Sequence, residues 1–184
     1  MHKKALVILA PGFEEIEAIT PIDLLKRAGI SVTVCGVGSI SIKGARAQMT
    51  FVTDKNITEV NEDFDALILP GGMPGAANLA ASQKVHELIQ KANKDGKIIA
   101  AICASPVVVL TPLGILKDKK ATCFPGMEKD FDPSTKFKDL ATVVDGNIIT
   151  SRGAGTSFDF SLKIIEKLLG DEAVAKVKTA TVAD

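Results

Sequence analysis

Short, uninterrupted runs of apolar residues alternate along this chain with amphipathic stretches of helical length. The apolar runs are at residues 5–10, 30–37, 66–72 and 98–103. Runs of this length are typical of strands that are buried on both faces, as in a parallel sheet with helices on either side. Their alternation with helical stretches predicts an α/β fold built from β-α-β units.

The helical stretches carry recognisable end signals. Ser82 is a favourable first residue for a helix, and Gly29 and Gly96 are favourable residues just past the end of one. Ser105-Pro106, directly after the fourth apolar run, also predicts a helix start. The other expected helices, in chain order, are residues 14–29, 82–96, 157–170 and 171–180.

Two segments predict antiparallel hairpins outside this alternation. Residues 40–53 alternate in polarity around a glycine, which indicates a small excursion from the main sheet. Residues 140–150 place Asp145-Gly146 between two apolar runs, and this dipeptide favours a tight hairpin turn. The expected fold is therefore a mostly parallel sheet with helices on both faces and a small hairpin at one side.

Composition restricts the possible partners. The chain has 184 residues without repeats or linkers, so residues 1–184 are expected to form one domain. Its 22 basic and 22 acidic side chains cancel, which gives no support to a nucleic acid or membrane partner. The three cysteines, Cys35, Cys103 and Cys123, lack paired spacings, which favours a reducing, cytoplasmic location. A small molecule or another protein is the expected partner.

Unusual residues follow three of the predicted strands. The segment "PGFEEIE" (11–17) follows the first, "PGGMPG" (70–75) the third and "CASP" (103–106) the fourth. Ligands of open parallel sheets bind outside the carboxyl ends of the strands, near the point where the strand order reverses. We therefore expect these three segments to meet in one site.

Cys103 is the first candidate for chemistry in that site. A strand-to-helix turn would place its sulfur beside a helix N-terminus, whose partial positive charge stabilises a thiolate and predicts a lowered thiol pKa. The alternative is a buried cysteine that serves only as a small apolar side chain. Its position in the sequence does not separate these two interpretations.

Glycines and acids complete the expected site. Gly71 and Gly72 allow a close approach of the backbone, and their N–H groups could hold an oxyanion, although an ordinary turn is the alternative. Glu14, Glu15 and Glu17 fall in a first helical turn, where acids stabilise the helix without any further role. An acid that points towards the thiol instead would have a raised pKa and could relay a proton.

The histidines argue against two classes of enzyme. A protease or amidotransferase of the Cys-His type needs an imidazole beside the thiol. This chain has only His2, near the N-terminus, and His86, within a predicted helix. Two separate histidines and no paired cysteines also provide no metal-ligand cluster, so no metal and no other cofactor is expected.

Four motifs in order resemble one known family over nearly the whole chain. They are "PGFEEIEA", "LILPGGMPGAANL", "AAICASP" and "TSRGAGTSFDF", and the pattern is similar to the Parkinsonism-associated deglycase branch of the ThiJ/PfpI superfamily. The resemblance implies a flavodoxin-like three-layer sandwich that is commonly a homodimer. It implies that Cys103 is the reactive thiol, that Glu17 is hydrogen-bonded to it, and that Gly72 and the amide of Ala104 hold an oxyanion.

The chain departs from this family pattern at several positions. Proteases of the superfamily have a histidine directly after the cysteine, where this chain has Ala104. Several deglycases have a histidine in a "T-x-H-P" segment, whereas the matching "TCFP" (122–125) has Phe124, which is expected to line the substrate site in its place. Arg152 is expected to orient its loop or to bind an anion. Cys123 is either a resolving thiol for Cys103 or a buried strand residue.

Two functions follow from the resemblance. The first is a cofactor-independent cysteine enzyme that converts methylglyoxal or glyoxal to a 2-hydroxy acid, or that removes early glycation adducts from proteins. The second is a redox sensor or holding chaperone that uses the same oxidisable Cys103. A catalytically silent relative, in which Phe124 has ended turnover, is a third possibility. The first helix and residues 40–53 are the expected dimer surfaces.

Overall fold

A computed structural model of the chain describes residues 2–183 and shows a central sheet of seven strands. In chain order, the strands are β1 (Lys4–Leu9), β2 (Ser31–Gly36), β3 (Ser41–Lys43), β4 (Thr50–Val52), β5 (Lys55–Asn56), β6 (Ala66–Leu69), β7 (Ile98–Ile102), β8 (Lys120–Ala121), β9 (Lys136–Phe137), β10 (Thr142–Asp145) and β11 (Ile148–Ser151). The sheet order is β10-β11-β7-β6-β1-β2-β5, and its neighbours are parallel except for the antiparallel pair β10 and β11.

Helices cover both faces of this sheet. They are α1 (Glu15–Arg27), α2 (Gly75–Ala80), α3 (Gln83–Lys94), α4 (Ser157–Leu169) and α5 (Asp171–Ala180). Side chains of α1, α4 and α5 share one apolar core with the sheet, whereas those of α2 and α3 share the other. The predicted α/β three-layer sandwich is therefore confirmed. Within residues 2–183, no helix has the length and apolar character needed to cross a membrane.

The apolar runs form central strands because both faces of the sheet are buried. In β1, Ala5, Val7 and Leu9 pack towards α1 and α4, while Leu6 and Ile8 pack towards the helices of the opposite layer. A strand with helices on both sides has no solvent-facing position, so its sequence shows no polar alternation.

The strand order reverses between β1 and β6. The chain builds β2 on one side of β1 and then returns to add β6, β7 and β11 on the other side. This is the doubly wound arrangement of flavodoxin-like sheets, in which ligands bind at the reversal. The segments that follow β1, β6 and β7 lie at this end of the sheet.

Both predicted hairpins are present. Three strands of two residues were not predicted, and the helix expected after Cys103 is shorter than predicted. Residues 40–53 form the antiparallel pair β3 and β4, and residues 140–150 form β10 and β11. The strands β5, β8 and β9, each of two residues, were not predicted, because two residues carry no periodicity. The expected helix after Ser105-Pro106 is only one π-helical turn, Pro106–Leu110. Pro112 follows closely and lacks the N–H that would extend a helix.

Candidate functional site

Cys103 lies at a sharp turn directly after β7. Its backbone φ is 65°, a left-handed conformation that is rare for a residue with a side chain. Two hydrogen bonds hold it there: its N–H donates to the carbonyl of Ser151 at 2.9 Å, and its own carbonyl accepts from the N–H of Phe124 at 2.9 Å. Neighbouring segments on both sides thus maintain a conformation that the cysteine would not adopt alone.

Glu17 is the acid of the first helical turn that points towards this thiol. It is buried, and its carboxylate accepts hydrogen bonds from the N–H of Gly71 at 2.9 Å, from the thiol of Cys103 and from the N–H of Ala154. The carboxylate of Glu14 caps α1 by accepting from the N–H of Glu17 at 2.8 Å. Glu14 therefore stabilises the start of α1, whereas Glu17 contacts the thiol.

Glu15 holds the β3–β4 hairpin against α1. Its carboxylate accepts from the N–H of Arg46 at 3.1 Å, and it lies against Gly44. Backbone hydrogen bonds from Gly12 to Lys43 and from Ala45 to Phe13 fix the same contact, both at 2.8 Å. The hairpin is thereby held beside the turn that contains Gly12 and Phe13.

Gly71 and Gly72 make the meeting of thiol and acid sterically possible. A Cβ atom on Gly71 would lie 2.6 Å from Cβ of Cys103 and 2.7 Å from Oε2 of Glu17. Gly72 has a φ of 87°, and a Cβ atom there would lie 2.5 Å from the backbone nitrogen of Glu14. Only glycine fits between these groups.

Backbone donors face the sulfur atom. The N–H groups of Gly72 and Ala104 hydrogen-bond to the side chain of Cys103, and they act to lower its pKa. The first belongs to the segment after β6 and the second directly follows the cysteine. These are the two groups that the resemblance assigns to holding an oxyanion, and the structure brings them together at the thiol.

The predicted lowering of the thiol pKa is wrong. Burial and then the negative charge of Glu17 raise the pKa of Cys103 to about 12, and the N–H groups of Gly72 and Ala104 only partly offset this. Burial likewise raises the pKa of Glu17 to about 7, although the hydrogen bond from Cys103 opposes it. The single π-helical turn after Cys103 provides a weaker dipole than the helix that the sequence predicted.

The thiol and the acid titrate as a pair. Between a pH of about 7 and about 12, the pair of Cys103 and Glu17 holds one proton. That proton lies either on sulfur, which leaves a carboxylate, or on the carboxyl, which leaves a thiolate. A nucleophile and an acid can thus be formed at the same time without an imidazole.

A cleft of about 580 Å³ opens onto this pair. Glu17 and Cys103 lie on one side of it, with Gly72 and Ala104. Its other walls are more apolar, and they include Met73, Phe124, Pro125 and Met127, while Arg46 of the β3–β4 hairpin also lines the cleft. A cleft of this size, with a few polar groups that converge on one point, suits a small molecule.

The other residues singled out in the sequence lie elsewhere or play no part in the pair. The guanidinium of Arg152 forms an ion pair with Asp139 at 3.2 Å and does not line the cleft, so the structure does not bring Arg152 to the thiol. Cys35 and Cys123 are buried, and burial raises the pKa of each thiol to about 12. Across residues 2–183, no group of three or more histidine, cysteine or acidic side chains could hold a metal ion.

Sequence reasoning missed Arg46 and the methionines of the cleft. Arg46 reaches the site because the β3–β4 hairpin folds back against α1. Met73 was visible in the segment after β6, and Met127 lies just beyond the "TCFP" segment. Both are ordinary apolar residues in the sequence, and nothing local shows which cavity they line.

Comparisons with known proteins identify relatives over nearly the whole chain. Residues 3–167 match the model of the DJ-1/PfpI family. Protein dj-1beta of Drosophila melanogaster is 44% identical over 180 residues, which are 96% of this chain and 95% of that protein. The glutathione-independent glyoxalase DJR-1.2 of Caenorhabditis elegans is 38% identical over 173 residues, 93% of this chain and 91% of that protein.

A solved structure shows that the similarity extends to the fold. The crystal structure of Drosophila melanogaster DJ-1beta superposes with a TM-score of 0.96 at 40% identity, and the match covers 100% of both chains. The family model spans most of this chain and the sequence identity extends across nearly all of it. This chain therefore belongs to the DJ-1/PfpI family.

Proposed function

We propose that this protein is a cofactor-independent cysteine enzyme that converts small α-oxoaldehydes, such as methylglyoxal and glyoxal, to 2-hydroxy acids. The observation that carries the proposal is the hydrogen-bonded pair of Cys103 and Glu17 at the base of the cleft, with the N–H groups of Gly72 and Ala104 directed at the sulfur. The 38% identity to a protein named glutathione-independent glyoxalase supports it.

The first step is the addition of sulfur to the aldehyde. In the form of the pair that has a thiolate and a carboxylic acid, Cys103 attacks the aldehyde carbon and a C–S bond forms. The carbonyl π electrons move to oxygen, which takes the proton of Glu17. The product is a hemithioacetal, and Glu17 is now a carboxylate. The N–H groups of Gly72 and Ala104 can stabilise the negative charge on oxygen as it develops.

The second step moves a hydrogen between adjacent carbons. The Glu17 carboxylate takes the proton from the former aldehyde carbon, and the electron pair shifts through an enediol to the neighbouring carbonyl. The hydroxyl proton on the former aldehyde oxygen passes to the oxygen of the second carbon. Return of the proton held by Glu17 to the second carbon then gives a thioester of a 2-hydroxy acid. Water then cleaves the C–S bond, which releases the acid and restores the thiol. The overall reaction is an isomerisation followed by hydrolysis, so no external oxidant or reductant is consumed.

Early glycation adducts are a second form of the same substrate. The hemithioacetal of a protein thiol with methylglyoxal, or the corresponding adduct of an amine, carries the same two-carbon unit. The cleft is open to solvent and is lined by residues of several loops, so an adduct on a flexible segment could enter it. The chemistry at Cys103 and Glu17 would be unchanged.

The test is lactate formation from methylglyoxal in the absence of glutathione. Wild-type protein, Cys103→Ala and Glu17→Gln are compared, with Cys35→Ala as the matched cysteine control because Cys35 is buried in β2 outside the cleft. We expect the Cys103 variant to fall to background and the Glu17 variant to lose roughly 10²–10⁴-fold in kcat/KM. The Cys35 variant should retain turnover.

Two results would count against the enzyme. If folded wild-type protein forms no lactate from methylglyoxal, the proposed glyoxalase activity is excluded. Equal turnover by wild type and Cys103→Ala would show that the thiol takes no part. Removal of a preformed adduct from N-acetylcysteine, measured while free methylglyoxal is trapped, separates adduct repair from action on the free aldehyde.

One observation favours a second function, the redox sensing or chaperoning expected from the same thiol. Cys103 is partly exposed, whereas Cys35 and Cys123 are buried. With hydrogen peroxide as oxidant, the Cys103 thiolate would displace water from the peroxide and become a sulfenic acid, and further peroxide would give a sulfinic acid that Glu17 can hydrogen-bond. Mass spectrometry after limited peroxide should find oxidation at Cys103 first. Earlier oxidation of Cys35 or Cys123, or no change in oligomeric state or client binding, would contradict this function.

We also propose that the protein acts as a homodimer through α1 and the β3–β4 hairpin. Apolar side chains are exposed on both elements and on the segments that flank the hairpin strands, namely Ile16, Ile40, Met49 and Val52. Such a cluster of exposed apolar residues is typical of a surface that pairs with another protein. A second copy of the chain would cover it.

A further inference from the structure

The ring of Phe124 is the most exposed aromatic side chain of the cleft. It is 49% exposed although it is large and apolar, and it faces the cavity that holds Cys103 and Glu17. A phenyl ring offers no hydrogen-bond donor or acceptor and no titratable group. Any contribution of Phe124 to the site must therefore come from contact with its ring rather than from hydrogen bonding or proton transfer.

The backbone fixes this ring close to the reacting groups. The N–H of Phe124 donates to the carbonyl of Cys103 at 2.9 Å, so one hydrogen bond joins the two residues. The ring also packs beside Gly153, where a Cβ position would lie 3.6 Å from Cδ2 of Phe124 and 3.9 Å from Oε1 of Glu17. The ring thus lines the same cleft as the nucleophile and the acid.

Other apolar side chains extend this surface. Met73 is 57% exposed and lines the cleft just after Gly72, and Met127 lines it three residues after Phe124. A turn that contains Gly126, with a φ of 92°, returns the chain so that the N–H of Met127 donates to the carbonyl of Phe124 at 3.1 Å. We call Met73, Phe124 and Met127 the apolar wall.

We infer that the apolar wall makes the enzyme select α-oxoaldehydes whose substituent is apolar and larger than a methyl group, with an aromatic ring as the best fit. This inference rests on the proposed function. The aldehyde carbon must lie at the sulfur of Cys103, so the substituent on the neighbouring carbonyl extends away from it along the cleft. A substituent that covers Phe124 and Met73 removes apolar surface of both partners from water, which favours binding.

The methionines suit such a role. Their unbranched, polarisable side chains adapt to ligands of different shape and make favourable contacts with aromatic rings. A histidine at position 124 would instead place a polar ring at the same point and would favour small, hydrated substrates. The residue at position 124 thus decides between two substrate ranges for the same thiol chemistry.

The test compares phenylglyoxal with methylglyoxal in wild type, Phe124→His and Phe124→Leu. The measured quantity is kcat/KM for phenylglyoxal divided by kcat/KM for methylglyoxal. The two aldehydes differ in intrinsic reactivity, and this difference cancels when the ratio is compared between proteins. Replacement by histidine should lower the ratio about ten-fold, whereas leucine should preserve most of it. Phe137→Ala is the matched control, since Phe137 is also a partly exposed phenylalanine but lies outside the cleft.

A second measurement does not depend on turnover. Alkylation of Cys103 by N-phenylmaleimide and by unsubstituted maleimide, followed by mass spectrometry, reports whether the wall favours an aromatic group near the sulfur. The ratio of these two rates should also fall in Phe124→His. If no dicarbonyl is turned over and this ratio still falls, the proposed function fails while the aromatic preference stands. Ratios that are the same in wild type and Phe124→His, in both measurements, would overturn the inference.

Discussion

Cys103 and Glu17 place an acid beside a thiol in a site to which residues 2–183 contribute no histidine. The left-handed backbone at Cys103 turns its thiol towards the carboxyl of Glu17, and burial raises the pKa of Glu17 to about 7, so this carboxyl gains or loses its proton near neutral pH. Because Glu17 has a pKa of about 7, the same group can give a proton in one step and take one in the next. Phe124 then need not carry a proton.

The rate should depend on pH through the first ionisation of this pair. Below a pH of about 7, Cys103 and Glu17 are both protonated, so neither a thiolate nor a carboxylate is available. We expect kcat/KM for methylglyoxal to rise as the pH increases through about 7 and to stay high in the alkaline range. A pH–rate profile measures this. A profile for wild type that falls with rising pH near neutrality would contradict the assignment.

The raised pKa of Glu17 should also be visible in stability. The folded protein holds this proton more tightly than the unfolded chain, whose glutamate has the ordinary pKa of 4.5, so the free energy of unfolding falls as the pH rises from 4.5 to about 7. The fall attributable to Glu17 is about 3 kcal/mol at most. Urea denaturation of wild type and Glu17→Gln at several pH values measures it.

The comparison between the two proteins isolates Glu17. Carboxyls with a lowered pKa, such as that of Asp65, titrate below this pH range and are present in both proteins. The variant should therefore lose the decline in stability between a pH of 4.5 and about 7. If the free energies of unfolding of the two proteins change with pH in parallel, burial does not raise the pKa of Glu17.

At the scale of elements, the site depends on the close approach of three strand ends. The first turn of α1, just after β1, provides Glu17. The loop after β6 provides Gly71 and Gly72, and the turn directly after β7 provides Cys103. These strands are neighbours in the parallel sheet, so their carboxyl ends lie side by side. The glycines remove the side chains that would otherwise separate the acid from the thiol.

Gly71→Ala should therefore damage the site more than an ordinary glycine substitution. The new Cβ atom would lie within 2.8 Å of the side chains of Cys103 and Glu17 and of the carbonyl of Ile102. We expect a loss of about 1–3 kcal/mol in the free energy of unfolding. We expect a fall of about 100-fold in kcat/KM, because the pair is forced apart.

Gly155→Ala is the control for this substitution. Gly155 lies in a nearby loop, its Cβ position has no neighbouring atom within 4 Å, and its φ is not in the left-handed range. The free energy of unfolding of the Gly155→Ala protein should differ from that of wild type by less than about 0.5 kcal/mol. Wild-type turnover in a stably folded Gly71→Ala protein would show that the tight contact between the strand ends is dispensable.

At the scale of the whole molecule, the surface around the cleft carries exposed apolar residues. The formal net charge is zero, so no overall field attracts a strongly charged partner. The exposed apolar residues on α1 and around the β3–β4 hairpin lie near the cleft, because the same hairpin carries Arg46 into it. A partner on this surface would therefore lie beside the mouth of the site.

The proposed dimer should be sensitive to a charge on that surface. Val52 is 69% exposed, so Val52→Asp leaves the fold of one chain intact but would bury a carboxylate if two chains pair there. Sedimentation velocity should show a dimer for wild type and a shift towards monomer for Val52→Asp. Leu140→Asp is the control, since Leu140 is also exposed and precedes β10 at the other edge of the sheet. A wild-type monomer at every concentration would contradict the proposal.

The sequence by itself determined the α/β class, the alternation of the longer apolar strands with helices, both hairpins and the convergence of the segments that carry Cys103 and "EEIE". These follow from apolar periodicity, from end signals and from the rule that parallel strands bring their carboxyl ends together. The resemblance then selected Glu17 from the three acids. All of this information is either local or carried by the order of motifs, so it can be read along the chain.

Only the tertiary structure decided the protonation of the pair and the walls of the cleft. A pKa depends on burial and on charges within a few ångströms, so Cys103 has a raised pKa although its position in the sequence predicted a lowered one. The partners of long side chains are likewise set by folding, which takes Arg152 to Asp139 and brings Arg46 to the cleft. These distances join residues that are far apart in the chain, and no local pattern records them.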